Sequence, residues 1–185
     1  MSESKDIKGS KYGKDQDQQP QQQRTKKNLW LIRHAESTHN AKPPHEPDDK
    51  YFNCGLSENG KQQASKIQGP VDLLLCSPLR RTLETYAHSS LRVKKFETVE
   101  ELREWTTYGP SCLYDLENPA VLEDAHQFRA RVRMVVDIIR QKPQTNIAIL
   151  SHGATLAELT RQLNIPCTTG WYNAEVKHFP DVIFP

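Results

Sequence analysis

Arg33-His34 follows the apolar run Leu29-Trp30-Leu31-Ile32 directly, and His152-Gly153 follows a second run, Ile147-Ala148-Ile149-Leu150-Ser151. Short apolar runs of this kind read as strands buried in a parallel sheet. Each histidine then falls at a strand's C-terminal end, the edge where open α/β sheets bind ligands. A guanidinium matches phosphate oxygens with two parallel hydrogen bonds and stays charged at any relevant pH. Two imidazoles and an arginine brought to one edge by separate strands would form a site for a phosphate dianion.

The elements that must carry these residues alternate along the chain. Leu29 to Ile32 reads as a first strand and Ser57 to Ile67 as a helix with Ser57 at its N-cap. Val71 to Cys76 is a second strand, and Pro78 suits the first turn of a helix running to about His88. Arg92 to Phe96 is a short strand, and Leu102 to about Ala120 reads as a long loop. In the next helix Ala125, Phe128, Val132, Val135 and Ile139 recur at three- and four-residue steps, with Arg129, Arg133, Arg140 and Lys142 off that stripe and Pro143 as its stop. The strand Ile147 to Leu150, a helix from Gly153 to Leu163 and an alternating edge strand from Ala174 to Phe179 complete the chain. This order implies an α/β fold, a three-layer α/β/α sandwich with a mostly parallel central sheet.

The 185 residues suit one domain. Residues 1–27 are expected to be a disordered, low-complexity tail, because Asp15 to Gln23 lacks the apolar surface that offsets ordering entropy. Lys5, Lys8, Lys11, Lys14, Arg24, Lys26 and Lys27 make that tail mildly basic, a solvated leader. The domain is expected over 28–185. A formal net charge of +2 is too balanced to argue for nucleic acid. No apolar segment reaches the roughly 20 residues that cross a bilayer, and the N-terminus lacks the apolar core of a secretory signal. Cys54, Cys76, Cys112 and Cys167 are widely spaced, which suggests reduced thiols and a cytoplasmic location.

Five motifs in order resemble the histidine phosphatase superfamily, the phosphoglycerate-mutase-like fold. They are Arg33-His34-Ala35-Glu36-Ser37-Thr38-His39-Asn40, Leu56 to Ala64, Ser77-Pro78-Leu79-Arg80-Arg81-Thr82-Leu83-Glu84-Thr85, Leu102-Arg103-Glu104 and Ser151-His152-Gly153. The resemblance spans roughly Asn28 to Phe179. It implies a phosphomonoester hydrolase in which His34 is the nucleophile and forms a phosphohistidine. Arg33 and Arg81 clamp the phosphate; Ser77-Pro78-Leu79 sets the register that selects Arg81, leaving Arg80 as a surface charge. His152 completes the cage as a donor, best when protonated, with Gly153 beside it as a substrate-binding position. Asn40 is expected to donate to a phosphate oxygen, while Glu36 and Ser37 buttress its loop.

The chemistry is coherent on its own terms. Hydrolysis of a phosphate monoester needs a nucleophile, cations for the equatorial oxygens and a proton for the leaving oxygen. An imidazole can attack phosphorus if its other nitrogen carries a hydrogen bond that fixes the tautomer, and a nearby backbone carbonyl is the natural acceptor. Glu104 is the expected general acid and base, and a proton shared with a dianion favours a raised carboxyl pKa. Glu100 and Glu101 are its neighbouring rivals. His39, His45, His88, His126 and His178 have no motif support. The expected partner is a small-molecule or protein phosphomonoester, without nucleic acid or membrane, and the reaction calls for no metal or other cofactor.

Other chemistries fit worse. Cys76 precedes arginine by too few residues for a cysteine-dependent phosphatase. His34 and His39 do not form a helical HExxH motif, and the cysteines lack zinc-site spacing. Within the resemblance, a phosphoglycerate-mutase-type phosphotransferase and a weakly active regulatory or binding module are the alternatives. The compact segment between Arg81 and His152, with Trp105, Tyr108 and Tyr114, favours water as the acceptor. Specificity is expected in Ala41 to Gly55 and in Trp105 to Asn118. One departure from the family pattern is Ala35 in place of glycine, which bears on pocket geometry because glycine permits positive φ and close ligand approach.

Overall fold

The structure, a computed structural model, describes residues 26–43, 53–105, 123–166 and 170–184. Five strands, β1 (Lys26–Arg33), β2 (Gln68–Cys76), β3 (Ser90–Thr98), β4 (Asn146–Ser151) and β5 (Val176–Ile183), form one sheet. Its order is β3-β2-β4-β1-β5, parallel throughout except for β5, which runs antiparallel at one edge. Four helices accompany it: α1 (Glu58–Ala64), α2 (Arg80–His88), α3 (Ala125–Gln141) and α4 (Gly153–Gln162).

Strand periodicity divides the core into two layers. Leu29, Leu31, Leu73, Leu75, Ile147 and Ile149 face Val132, Val135, Val136 and Ile139 of α3 and Leu156 and Leu159 of α4. The alternate residues Ile32, Leu74, Cys76, Ala148 and Leu150 face the other way, with Leu83 and Tyr86 of α2 packed against them. Burial on both faces is why β2 and β4 read as continuous apolar runs rather than alternating ones. The expected three-layer α/β/α architecture is the observed one. Among the described residues, no helix is long and apolar enough to cross a membrane.

Element boundaries differ from expectation where backbone pairing outruns the apolar signal. β3 extends to Ser90–Thr98 because its ladder with β2 runs from Gln68↔Ser90 to Cys76↔Thr98. α1 stops at Ala64, three residues early, since the chain must turn to enter β2 at Gln68. The domain boundary also moves. β1 begins at Lys26, and Lys27, assigned to the tail, is buried with its Nζ donating to the carbonyls of Lys142 (2.5 Å) and Gln144 (2.9 Å). The remaining tail, His45, Cys112, Cys167, Tyr108, Tyr114 and most of both expected specificity segments lie outside the described residues.

Candidate active site

Parallel register places the chemistry. Arg33 pairs with Ser151 across β1 and β4, and Cys76 pairs with Leu150 across β2 and β4. His34, Ser77 and His152 are therefore each one residue past three adjacent strand ends. The amide of His34 donates to the Ser151 carbonyl (2.9 Å) and that of Ser77 to the Leu150 carbonyl (3.0 Å), so the edge is fastened by backbone. α4 opens at Gly153, directly after His152, and α2 opens at Arg80. Both helices thus begin at this edge, where the helix dipole places a partial positive charge.

The rings of His34 and His152 lie 5.1 Å apart, centroid to centroid, inclined at 57°. His34 is 3% exposed and His152 fully buried. Nδ1 of His34 is 2.7 Å from the Ala35 carbonyl oxygen. A carbonyl only accepts, so Nδ1 carries the proton and Nε2 keeps its lone pair. That lone pair accepts from Nε of Arg81 at 3.3 Å. Nε2 of His152 sits 2.9 Å from the Ser77 hydroxyl. Both imidazoles are held well below the ordinary histidine pKa, first by burial and then by the Arg81 charge. Burial therefore favours neutral imidazole at His152, and an anion beside it would favour the protonated donor that the sequence reading expects.

Arg81, 2% exposed, occupies the first turn of α2. Arg80 points outward and pairs with Glu84 at 2.6 Å, the surface role expected of it. Arg33 donates from Nη1 to the Trp171 carbonyl at 2.5 Å. Its Nε is buried without a partner, as is Nδ1 of His152. Buried orphan donors are uncommon in native proteins. A Cβ built on Gly153 would stand 3.7 Å from that Arg33 Nε, so Gly153 lies against the guanidinium.

Glu104 is half-buried, just beyond the 3-10 turn Glu100–Leu102. Burial pushes its carboxyl pKa up, while a hydrogen bond from the Trp105 amide (2.9 Å) and the charges of Arg81, Arg33 and Arg131 pull it down. Glu104 is thus coupled electrostatically to both Arg33 and Arg81.

The loop after β1 is built as a brace. The Glu36 carboxylate accepts from Ser57 Oγ (2.6 Å), and Ser37 bonds Asn40 Oδ1 through both its amide (3.2 Å) and its hydroxyl (3.0 Å). Asn173 Nδ2 donates to the same Asn40 oxygen at 3.1 Å. With Oδ1 so occupied, Nδ2 is the group that Asn40 can offer a ligand. Ala35 is fully buried and is not among the residues with positive φ. Its methyl packs with Leu56 and Ala64, so the departure from glycine imposes no backbone strain here.

Several contributors carried no assigned role in the sequence reading: Ser77 beside His152, Thr85, whose hydroxyl accepts from the Ala35 amide (3.0 Å), Asn173, and the buried Arg131–Glu123 pair. Arg131 had a usable signal. It stands three residues after Phe128 and one before Val132, a charge on the apolar stripe of α3.

Residues 29–110, which hold four of the five motifs, match the family model of the histidine phosphatase superfamily, branch 1. That match covers less than half of the chain, and the chain's structural neighbours include both phosphatases and mutases. Phosphoglycerate mutase from Thermus thermophilus superposes with a TM-score of 0.57 at 18% identity, covering 85% of this chain and 96% of that one. A phosphoserine phosphatase from Entamoeba histolytica, solved with 3-phosphoglyceric acid, gives a TM-score of 0.53 at 22% identity, covering 83% and 90%. At these identities the likeness is one of fold. A curated relative, agropine synthesis reductase of Rhizobium rhizogenes, is 26% identical over 172 residues, or 83% of this chain. The chain spans only 39% of that relative's length.

Proposed function

We propose that the protein is a phosphomonoester hydrolase that works through a phosphohistidine on His34. The observation that carries this reading is the tautomer lock. The Ala35 carbonyl holds the Nδ1 proton and leaves Nε2 with a lone pair, 3.3 Å from Arg81 Nε and facing a second imidazole. The phosphate dianion of a monoester would draw Arg81 from that lone pair, and Arg33 Nε and Asn40 Nδ2 would supply further donors. In-line attack by Nε2 forms the N–P bond as the ester P–O bond breaks, and the Glu104 proton passes to the leaving oxygen. Water, deprotonated by the Glu104 carboxylate, then attacks phosphorus and releases His34 and inorganic phosphate. His152, neutral in the empty site, can take a proton once a dianion lies beside it and then stabilise the equatorial charge.

Hydrolysis of p-nitrophenyl phosphate tests this. Turnover should persist in EDTA, be inhibited by vanadate, and fall by about 10³-fold or more in H34A. The phosphoryl label should be lost in acid and kept in base. Equal turnover by wild type and H34A would remove His34 as the nucleophile. E104Q should slow alkyl phosphates more than aryl phosphates, because a good leaving group needs less protonation.

A further inference from the structure

Beyond the strand edge, the described residues include buried charges that the hydrolytic steps do not use, Arg131 among them. Arg131 lies in the middle of α3, 6% exposed, on the helix's apolar stripe. Its guanidinium grips Glu123 in a fork, Nε to Oε1 at 2.7 Å and Nη2 to Oε2 at 2.6 Å. The other contacts all go to one short piece of backbone. Nη1 donates to the carbonyls of Glu101 (2.6 Å) and Arg103 (2.9 Å), and Nη2 to that of Glu104 (3.4 Å). These five contacts match the five N–H donors of a guanidinium.

The piece of backbone so held belongs to no strand or helix from Arg103 to Trp105. Past the Arg103 amide, which donates to the Glu100 carbonyl at 3.1 Å, neither ladder nor helix fixes it, and side chains hold its carbonyls. Ser151 Oγ holds the Leu102 carbonyl at 2.7 Å and Thr155 Oγ1 the Arg103 carbonyl at 2.8 Å, but neither reaches Glu104. Glu123 adds a second tie, accepting from Arg103 Nη2 at 2.8 Å, and its carbonyl accepts from Trp105 Nε1 at 3.2 Å. Trp105 in turn stacks on Phe128 of α3, 4.7 Å between centroids. A buried ion pair is weak support for stability, since apolar residues of like volume often serve as well. A rigid five-donor fork on the segment bearing a carboxylic acid has another use.

We propose that Arg131, clamped by Glu123, is a positioning residue for Glu104, holding the acid's backbone at the distance from the leaving oxygen that proton transfer requires. This rests on the reading of Glu104 as general acid. Arg131 never touches substrate and acts only through the segment it grips. Small displacements of a proton donor are costly in rate, so the effect belongs to kcat for substrates whose leaving group needs the proton.

The experiment compares R131K, the charge-free pair R131M/E123M and E104Q on an alkyl phosphate and on p-nitrophenyl phosphate. Active sites are counted in each preparation by phosphohistidine labelling, so that misfolded protein does not enter the rates. R131K keeps the charge but loses the fork. It should lose about tenfold or more in kcat on the alkyl ester relative to the aryl ester, with KM for both nearly unchanged. R131M/E123M should show the same selective loss. Its activity should also persist to higher pH, because the carboxyl has lost a cation that favours its ionised form. If E104Q discriminates between the esters while R131K and R131M/E123M lose equally on both, Arg131 merely supports the fold and the inference is overturned. If E104Q itself does not discriminate, the acid role of Glu104 fails first and the inference falls with it.

Discussion

Acidifying the ligand-free protein should unfold it by way of the candidate site. His34 and His152 are both held well below the ordinary value of 6.5, chiefly by burial and next by Arg81. As pH falls through about 6.5 the unfolded chain protonates both rings and the native state does not. The unfolded state then binds more protons, so stability declines as pH falls, by about 1.4 kcal/mol per pH unit for each ring and ~2.7 for the two. Glu104 works in the opposite direction. Its folded pKa lies above 4.5, so its contribution is full below 4.5 and is lost as pH rises through the folded value. It offsets at most about 1.4 kcal/mol per unit within its window. The paired carboxylates Glu84, Glu97 and Glu158 have lowered values, so they matter at and below 4.5 rather than near 6. The net expectation is a loss of roughly 1.4 to 2.7 kcal/mol per pH unit just below pH 6.5. Urea unfolding in phosphate-free buffer at about pH 7, 6.5, 6 and 5.5 measures it. H34Q and H152Q should each remove one ring's share. Inorganic phosphate should flatten the decline in part, because an anion beside His152 favours its imidazolium. Stability that stays flat over this range, or slopes that are the same in wild type and both variants, would refute neutral, desolvated imidazoles in the empty pocket.

Four substitutions probe the scaffold and the clamp. A35G removes a fully buried methyl from a position with no need of positive φ. It should cost about 1 to 2 kcal/mol in urea unfolding, with kcat/KM on an aryl phosphate changed little; a large gain in activity would mean that alanine distorts the pocket. G60A drives a Cβ into the Glu36 carbonyl oxygen, a backbone atom that cannot swing aside. Roughly 2 kcal/mol of stability or more should be lost, together with turnover because Glu36 belongs to the loop after His34; an unperturbed melt would contradict the close approach of α1 to that loop. R80A and R81K should separate two adjacent arginines: loss of the exposed Arg80–Glu84 pair costs at most about 0.5 kcal/mol and leaves turnover intact, whereas R81K should lower kcat/KM by about 10²-fold or more, and the reverse ranking would reassign the clamp.

The legible part of this molecule was the part that repeats a physical pattern. Leu73-Leu74-Leu75-Cys76 and Ile147 to Leu150 announce strands buried on both faces, and the histidines that follow such runs inherit the position of the strand ends. Arg81 was legible through its register after Ser77-Pro78-Leu79. What eluded sequence reading was pairing between residues far apart. The ladder that carries β3 out to Ser90 and Thr98 depends on β2, not on the composition of β3. Lys27 resembled a tail lysine because nothing local reveals the Lys142 and Gln144 carbonyls that receive its Nζ. Asn173 and Ser77 act through partners far along the chain, Asn40 and His152 respectively. Arg131 was visible as a charge on an apolar stripe, yet its meaning comes only from the carbonyls of Glu101, Arg103 and Glu104 gathered around it.

The charge states fit one another. Burial lowers the pKa of both imidazoles and raises that of Glu104, so Arg33 and Arg81 supply the fixed positive charge. A phosphate dianion balances two guanidinium charges without requiring either histidine to ionise. On the proposed mechanism that leaves His34 free to act as a nucleophile, a role its imidazolium could not fill, while burial favours the proton that Glu104 would donate. On the same mechanism, the burial that lowers both imidazole pKa values would also favour monoester dianions, and both expectations follow from placing two histidines and two arginines at adjacent strand and helix ends.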